Sequence, residues 1–179
     1  MPPDSTDRDE LIAYRPELRP HFERLNLLWL EGNALLEPVD LEYLRDPERH
    51  ILAGGGQVLF ATRGPAVLGV CAAIRASATT FELAKLAVDP VARGRGVGRR
   101  LCEAVRAYAR RRGATELVLT SHTSLTSALR LYQSFGFHRA PLPADVRYAT
   151  ANVYMRMDLR GADAVTSPGV RVSERPRGA

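Results

Sequence analysis

Apolar positions run along this chain in two rhythms, and their order sets the expected fold. After Leu11 to Tyr14, which reads as a short strand, Leu18, Phe22, Leu25 and Trp29 recur every three or four residues. That spacing lines one face of a helix, with Pro16 at its start and Gly32 just past its end. The stripe is either core or the wall of a pocket. A second short helix is expected over about Val39 to Leu44, closed by Asp46-Pro47, and Gly54-Gly55-Gly56 marks a turn. The rhythm then changes. Gln57 to Thr62, Ala66 to Ile74 and Thr80 to Val88 are β-type runs separated by Arg63-Gly64-Pro65 and Ser77 to Thr79, which predicts consecutive hairpins. From Val97 to Arg112 the helical period returns: Leu101, Val105, Tyr108 and Ala109 form one stripe, and Gly113 stands where a C-terminal cap belongs. Leu117 to Leu119 reads as a short buried strand, Ser124 to Phe135 as a helix capped by Gly136, and Val153 to Leu159 as a final alternating strand. A run of strands followed by strand, helix, strand, helix, strand predicts an α/β sandwich around a mixed sheet.

Length and composition narrow this further. With 179 residues, 45% hydrophobic and 25% charged, the chain suits one domain with a single core. Residues 1–9 and 161–179 are polar, carry Pro and Gly and have no period, so both are expected to be disordered, leaving 10–160 as the folded unit. No apolar run approaches the ~20 residues of a membrane span, and the start MPPDSTDRDE has neither the basic nor the apolar part of a secretory signal. A cytoplasmic protein without a membrane partner is expected, as a monomer or a homodimer. Cys71 and Cys102 are too few for a disulfide framework and lie in apolar contexts, as small core hydrophobes do. No Cys/His cluster has metal-ligand spacing, so no metal is expected.

The net charge of +5 comes almost wholly from Arg; Lys85 is the only lysine. The densest basic stretch, Arg93 to Arg112, reads either as a solvated helix face or as an attractor of phosphates, and without an accompanying RNA- or DNA-binding motif it gives no reason to expect nucleic acid. It begins in the most informative segment of the chain. A strand ending at Val88 and a turn at Asp89-Pro90 lead into Arg93-Gly94-Arg95-Gly96-Val97-Gly98-Arg99 and then the long helix. Glycines allow a ligand close to the backbone, and a helix start offers free N–H groups and a positive dipole end, so an anionic ligand is implied. A Walker loop would need Lys and Ser/Thr after its last glycine, where Arg99 and Arg100 stand, and the G-x-G-x-x-G spacing also fails.

The pattern Arg93-x-x-Gly96-x-Gly98 resembles the acetyl-coenzyme A loop of the GNAT N-acetyltransferase superfamily. A second stretch, Ala128, Leu131-Tyr132 and Gly136-Phe137, is similar to that family's C-terminal signature. Further matches resemble one bacterial subgroup of mostly unassigned substrate: Leu25-Asn26 with Trp29, Glu37 with Asp40, Asp46-Pro47, Gly55-Gly56, and Glu82-Leu83-Ala84-Lys85. The resemblance covers nearly all of 11–160. It implies a mixed, mainly antiparallel sheet of about seven strands with helices on both faces and a splay between the fourth and fifth strands. It also implies acetyl-CoA as co-substrate and a primary amine as acceptor, and because the aromatic and apolar N-terminal helices suit a closed pocket, that amine is expected to belong to a small molecule. A protein or peptide acceptor and a non-catalytic acyl-CoA-binding domain are the alternatives.

The same resemblance assigns roles. Backbone of Leu86, Ala87 and Val88 would pair with the pantetheine arm, and the loop from Arg93 through Gly94, Arg95, Gly96, Val97 and Gly98 to Arg99 would cradle the pyrophosphate. Tyr132 stands at the position of the proton donor to the leaving thiolate; on its own it also reads as a core aromatic. Glu82 matches the catalytic glutamate of several lineages, and a carboxylate between Phe81 and Leu83 needs either a cleft or an ion pair. Acceptor contacts fall to Trp29, Glu31, Glu37, Lys85 and His122. Against these stand plainer readings: an exposed helix end for Glu31, an N-cap neighbour for Glu37, a solvated loop residue for His122. Where many family members carry Asn in the connection after the fifth strand, this chain has His122 and Leu125.

Overall fold

A computed structural model describes residues 9–161. Residues 1–8 and 162–179, which carry most of the expected disorder, lie outside the described residues. Asp9 belongs to the fold: it opens strand β1 (Asp9–Ala13) and its carboxylate binds Arg63 at 2.7 Å and also Arg100.

The chain continues through helices α1 (Arg19–Gly32) and α2 (Pro38–Arg45), strands β2 (Gln57–Arg63), β3 (Ala66–Arg75) and β4 (Thr80–Val88), and helix α3 (Val97–Arg111). It closes with β5 (Glu116–Ser121), α4 (Thr126–Phe135), β6 (His138–Ala140) and β7 (Val153–Asp158). Both ends of α1 moved from the sequence expectation. Pro16 begins a separate 3₁₀ turn, Pro16–Leu18, ahead of α1, and Gly32 is the last residue of α1. A single turn of wide helix, Glu48–Leu52, and the three-residue β6 had no legible period at all.

The seven strands form one sheet in the order β1-β2-β3-β4-β5-β7-β6, antiparallel at every junction except β4 with β5. Both faces are covered. Leu101 and Val105 of α3 and Leu129 and Tyr132 of α4 pack on one face with Leu59, Ala61 and Cys71, while Phe22 and Leu25 of α1 and Leu44 of α2 pack on the other with Val58, Phe60 and Val70. Coverage on both sides explains why β2 and β3 read as continuous apolar runs instead of alternating ones. Each fully buried residue of this set, such as Phe22 or Leu101 at 0% exposure, contributes roughly 1.5–3 kcal/mol of transfer free energy.

Two features of β4 build the site. Its parallel ladder with β5 is short, pairing Thr80, Phe81 and Glu82 with Glu116, Leu117 and Val118 and then ending. Beyond Glu82 the two strands splay, leaving the β5-facing backbone edge of Leu83 to Val88 without a strand partner. The second feature is a bulge. Val70 pairs with Ala87 but Ala72 pairs with Ala84, so Lys85 and Leu86 together oppose Cys71. Lys85 takes up the extra residue in the left-handed region, at φ 55°, which is costly for a side chain with a Cβ. As a result the side chains change faces: Phe81 and Leu83 pack toward α3, and after the bulge it is Leu86 and Val88 that do so. Among the described residues no helix is long and apolar enough to cross a membrane.

Candidate active site

Two cavities meet across the splay. One is a groove of about 580 Å³ running from Leu86 and Val88 along the Arg93–Arg99 loop to Ala128 and Leu131 of α4. The other is a smaller cavity of about 110 Å³, walled by Trp29, Leu30, Leu35, Glu82, Lys85 and Tyr148 among others. Trp29, Leu86 and Tyr132 line both, so they form the junction.

The groove owes its shape to the loop. Gly94 and Gly96 both have φ 74°, and Gly96 is the N-cap of α3, with no side-chain bond to its first turn. A helix start capped this way leaves its first N–H groups facing the groove together with the positive end of the dipole. Gly98 serves packing: a Cβ there would lie 3.3 Å from Leu131 Cδ2. Of the loop residues named from sequence, Arg93, Gly94, Gly96, Val97, Gly98 and Arg99 line the groove, with the Arg99 guanidinium on Ser134 Oγ at 2.8 Å. Arg95 is exposed outside it. Ala87 turns its side chain to the α1 face, so only its backbone is available. A free strand edge, a helix N-terminus and a glycine loop in line suit a long ligand that pairs like a strand and carries phosphate.

In the smaller cavity Glu82 holds the apex, at the last β4 position paired with β5. Its side chain is 11% exposed, and Arg147 lies 3.5 Å from Oε2. Burial pushes the Glu82 carboxyl above its ordinary range, only partly offset by the charges of Arg147 and Lys85 and a hydrogen bond from Thr120. Tyr132 is nearly buried, and burial lifts its phenol well above the usual value, so it keeps its proton at physiological pH. Its hydroxyl has no hydrogen-bond partner among the described residues and opens to the junction. The site thus holds a carboxylate poised to accept a proton and a phenol free to give one.

The bulge explains Lys85. Its ammonium binds Asp40 of α2, donates to the Tyr148 hydroxyl at 3.0 Å, and lies 5.8 Å and 4.9 Å from the Tyr43 and Tyr148 ring centres. Burial opposes its charge, but Tyr148 and Asp40 raise its pKa above 10.5. Asp40 is equally committed: Oδ1 takes the ammonium and Oδ2 accepts the Glu37 N–H at 2.8 Å, at the start of α2. Asp40→Ala would leave the ammonium buried and unpaired, so a loss of about 3–5 kcal/mol is expected in urea unfolding at pH 7. Because the folded pKa of Lys85 lies above the unfolded one, the wild-type contribution is fully present below about pH 10.5 and is lost as pH rises through the folded value. A wild-type midpoint in the Asp40→Ala variant would mean that the pair does not hold α2 on the sheet.

The remaining candidates are spread out. Glu37 accepts the N–H groups of Ala149 and Thr150, both at 2.9 Å, and the Thr150 hydroxyl, so its carboxylate ties the segment between β6 and β7 to α2. Burial works against its charge, but these bonds and Lys85 hold it below the usual carboxylate range. Glu31 is exposed and lines neither cavity. His122 lines the smaller cavity; the Ser124 N–H at 3.1 Å and its hydroxyl at 2.7 Å both meet Nδ1. In the neutral ring the proton is then on Nε2, which makes His122 a donor. Asp40, Arg147 and Tyr148 were missed as site residues. Asp40 left a trace in its capping spacing from Glu37, whereas Arg147 and Tyr148 lie in a stretch without period.

The sequence profile described as Acetyltransferase (GNAT) family matches residues 18–137. N-acetyltransferase family 8 member 2 of Rattus norvegicus is 31% identical over 101 residues, 54% of this chain and 45% of that protein, so the chain spans less than half the length of this relative. Among solved structures, a GNAT-family acetyltransferase from Staphylococcus aureus superposes with a TM-score of 0.77 at 20% identity, over 86% of this chain and 100% of that one. The Salmonella typhimurium protein yncA, solved with its cofactor acetyl-CoA, gives a TM-score of 0.69 at 20% identity, over 88% and 98%. With a profile match over most of the fold and the splayed seven-stranded sheet beneath it, the chain belongs to the GNAT acetyltransferase family.

Proposed function

We propose that this protein transfers an acetyl group from acetyl-CoA to the primary amine of a small molecule. The observation that carries the reading is the junction: a phosphate-suited groove and a small cavity meet at Tyr132, with Glu82 on the cavity side. The free edge of Leu86 to Val88 suits the amides of a pantetheine arm, and the α3 start suits a pyrophosphate. Such a bound thioester would have its carbonyl carbon at the junction. An ammonium entering the cavity gives its proton to Glu82, directly or through water; the neutral nitrogen attacks the carbonyl carbon, the C–S bond breaks with Tyr132 protonating the leaving thiolate, and the second proton shed by the nitrogen as the amide forms returns, through water, to the Tyr132 oxygen.

A small acceptor is favoured over a peptide by the roof of the cavity. Tyr148 and Thr150 contribute to the cavity wall, and Glu37 fastens their segment to α2, an arrangement that suits a small acceptor better than an extended chain. Thiol release from acetyl-CoA over a panel of amines, amino acids and peptides tests the whole reading. Turnover with small amines is expected; turnover with peptides alone would overturn the acceptor class, and coenzyme binding without turnover on any amine would favour a non-catalytic acyl-CoA-binding domain.

The groove has its own test. Gly96→Val sets a branched side chain at φ 74° and fills space against which a pyrophosphate would rest. Acetyl-CoA affinity is expected to fall several-fold or more in calorimetry on the folded variant. Unchanged affinity would remove the loop from the coenzyme site.

A further inference from the structure

We infer that the acceptor is a compact primary monoamine carrying no carboxylate or phosphate, an inference that rests on the acetyl transfer proposed above. It comes from counting which charges in the smaller cavity are still uncommitted. An anionic group on the acceptor would need a cation. The lysine in the wall, Lys85, has a side chain 5% exposed and already bound to Asp40 and Tyr148, with aromatic rings on two further sides, and His122 is engaged by Ser124 at Nδ1 and offers the cavity only its Nε2 N–H. The nearby Arg147 is not part of that wall: it is paired with Glu82 and lies over the Tyr43 ring at 4.9 Å.

The carboxylates tell the other half. With Asp40 and Lys85 spent on each other, a ligand anion would meet the carboxylate of Glu82 where screening is weak, whereas an ammonium is drawn to it. The apolar part of the wall is Trp29, Leu30, Leu35 and Leu125, the hydroxyls of Thr120, Ser121 and Thr150 and the ring of His122 make up much of the rest, and the space amounts to about 110 Å³. Such walls leave room for a short aliphatic or aromatic body and offer neutral hydroxyls, not an uncommitted lysine or arginine, to anything more polar. The Lys85–Asp40 pair therefore acts on specificity, by withholding the one ammonium that an amino acid would seek.

Matched pairs that differ only in the carboxylate test this: 2-phenylethylamine against phenylalanine, and isobutylamine against valine. The amine of each pair is expected to have a kcat/KM at least ~10²-fold higher. Asp40→Asn keeps the shape and the acceptor oxygen but leaves Lys85 with unbalanced charge, so the preference for the amine is expected to shrink by ~10-fold or more. Should that variant fail to fold, the wild-type ratios still decide. Calorimetric titration of each pair into coenzyme A-loaded wild type separates the two layers of argument. Amine binding without turnover would uphold the acceptor class and overturn catalysis. An amino acid bound or acetylated as well as its decarboxylated partner would overturn the acceptor class and leave acetyl transfer standing, and so would failure of both amines to bind while another acceptor turns over. A folded Asp40→Asn protein with the wild-type ratio would remove Lys85 and Asp40 from specificity.

Discussion

Tyr132→Phe is expected to lower kcat by ~10²-fold or more while leaving acetyl-CoA affinity and melting temperature close to wild type. The separation of these three readouts follows from what the hydroxyl does and does not touch. The ring packs edge-on against Phe137, with centroids 6.0 Å apart and planes at 70°, and the variant keeps that contact. The hydroxyl has no hydrogen-bond partner among the described residues, so deleting it strands no buried donor or acceptor and should cost little stability. Its loss matters only when a thiolate forms at the junction and finds no proton. Burial keeps the phenol protonated well beyond pH 10, so the defect should be the same at every pH of the assay. Wild-type kcat in the folded variant would assign the proton to another donor, and a parallel loss of coenzyme affinity would make Tyr132 a wall residue.

How far the sequence reached depends on whether an element is marked by local pattern. Both long helices, the three central strands and the glycine loop carry their own period or turn residues, and these stand at the expected places or within three residues of them. Strand β6 is three residues long, too short to have a period, and it exists because Arg139 and its neighbours pair with β7. The bulge at Lys85 did leave a trace. If β4 alternated regularly, Phe81, Leu83 and Lys85 would share the α3 face, which would bury a lone ammonium in an apolar core; the return of Leu86 and Val88 to that face marks the slip. The purpose of Lys85 was not legible, since its partners Asp40 and Tyr148 come from 45 residues before and 63 after. Glu37 shows the opposite failure. Its type suggested a contact to a cationic amine, but a carboxylate in reach of two backbone N–H groups and a hydroxyl is filled by them, as only the folded segment 149–150 reveals.

Glu82→Gln is expected to reduce kcat/KM by ~10²-fold or more near pH 7 and to recover part of that loss by pH 10. On the proposed mechanism two protonations frame the wild-type rate. Below the lifted pKa of Glu82 the carboxyl already holds a proton and cannot take the acceptor's, so the acid limb of the profile lies above the ordinary value of 4.5. At high pH the acceptor amine loses its proton to water, with a reference pKa of about 10.4 for an alkylamine, and the base is no longer needed. Gln takes no proton, so the variant should have no limb from Glu82 and its log rate should climb with unit slope toward the amine pKa. The same titration acts on stability. Since burial raises the folded pKa of Glu82, the unfolded chain ionises first as pH rises from 4.5, and the native state loses stability until the folded value is passed. Urea midpoints of the variant should lack that decline across the same window. A variant whose rate profile keeps the wild-type acid limb would mean that another group receives the proton. With that limb retained but the stability decline gone, Glu82 would be a buried carboxyl held by Arg147 and outside the chemistry.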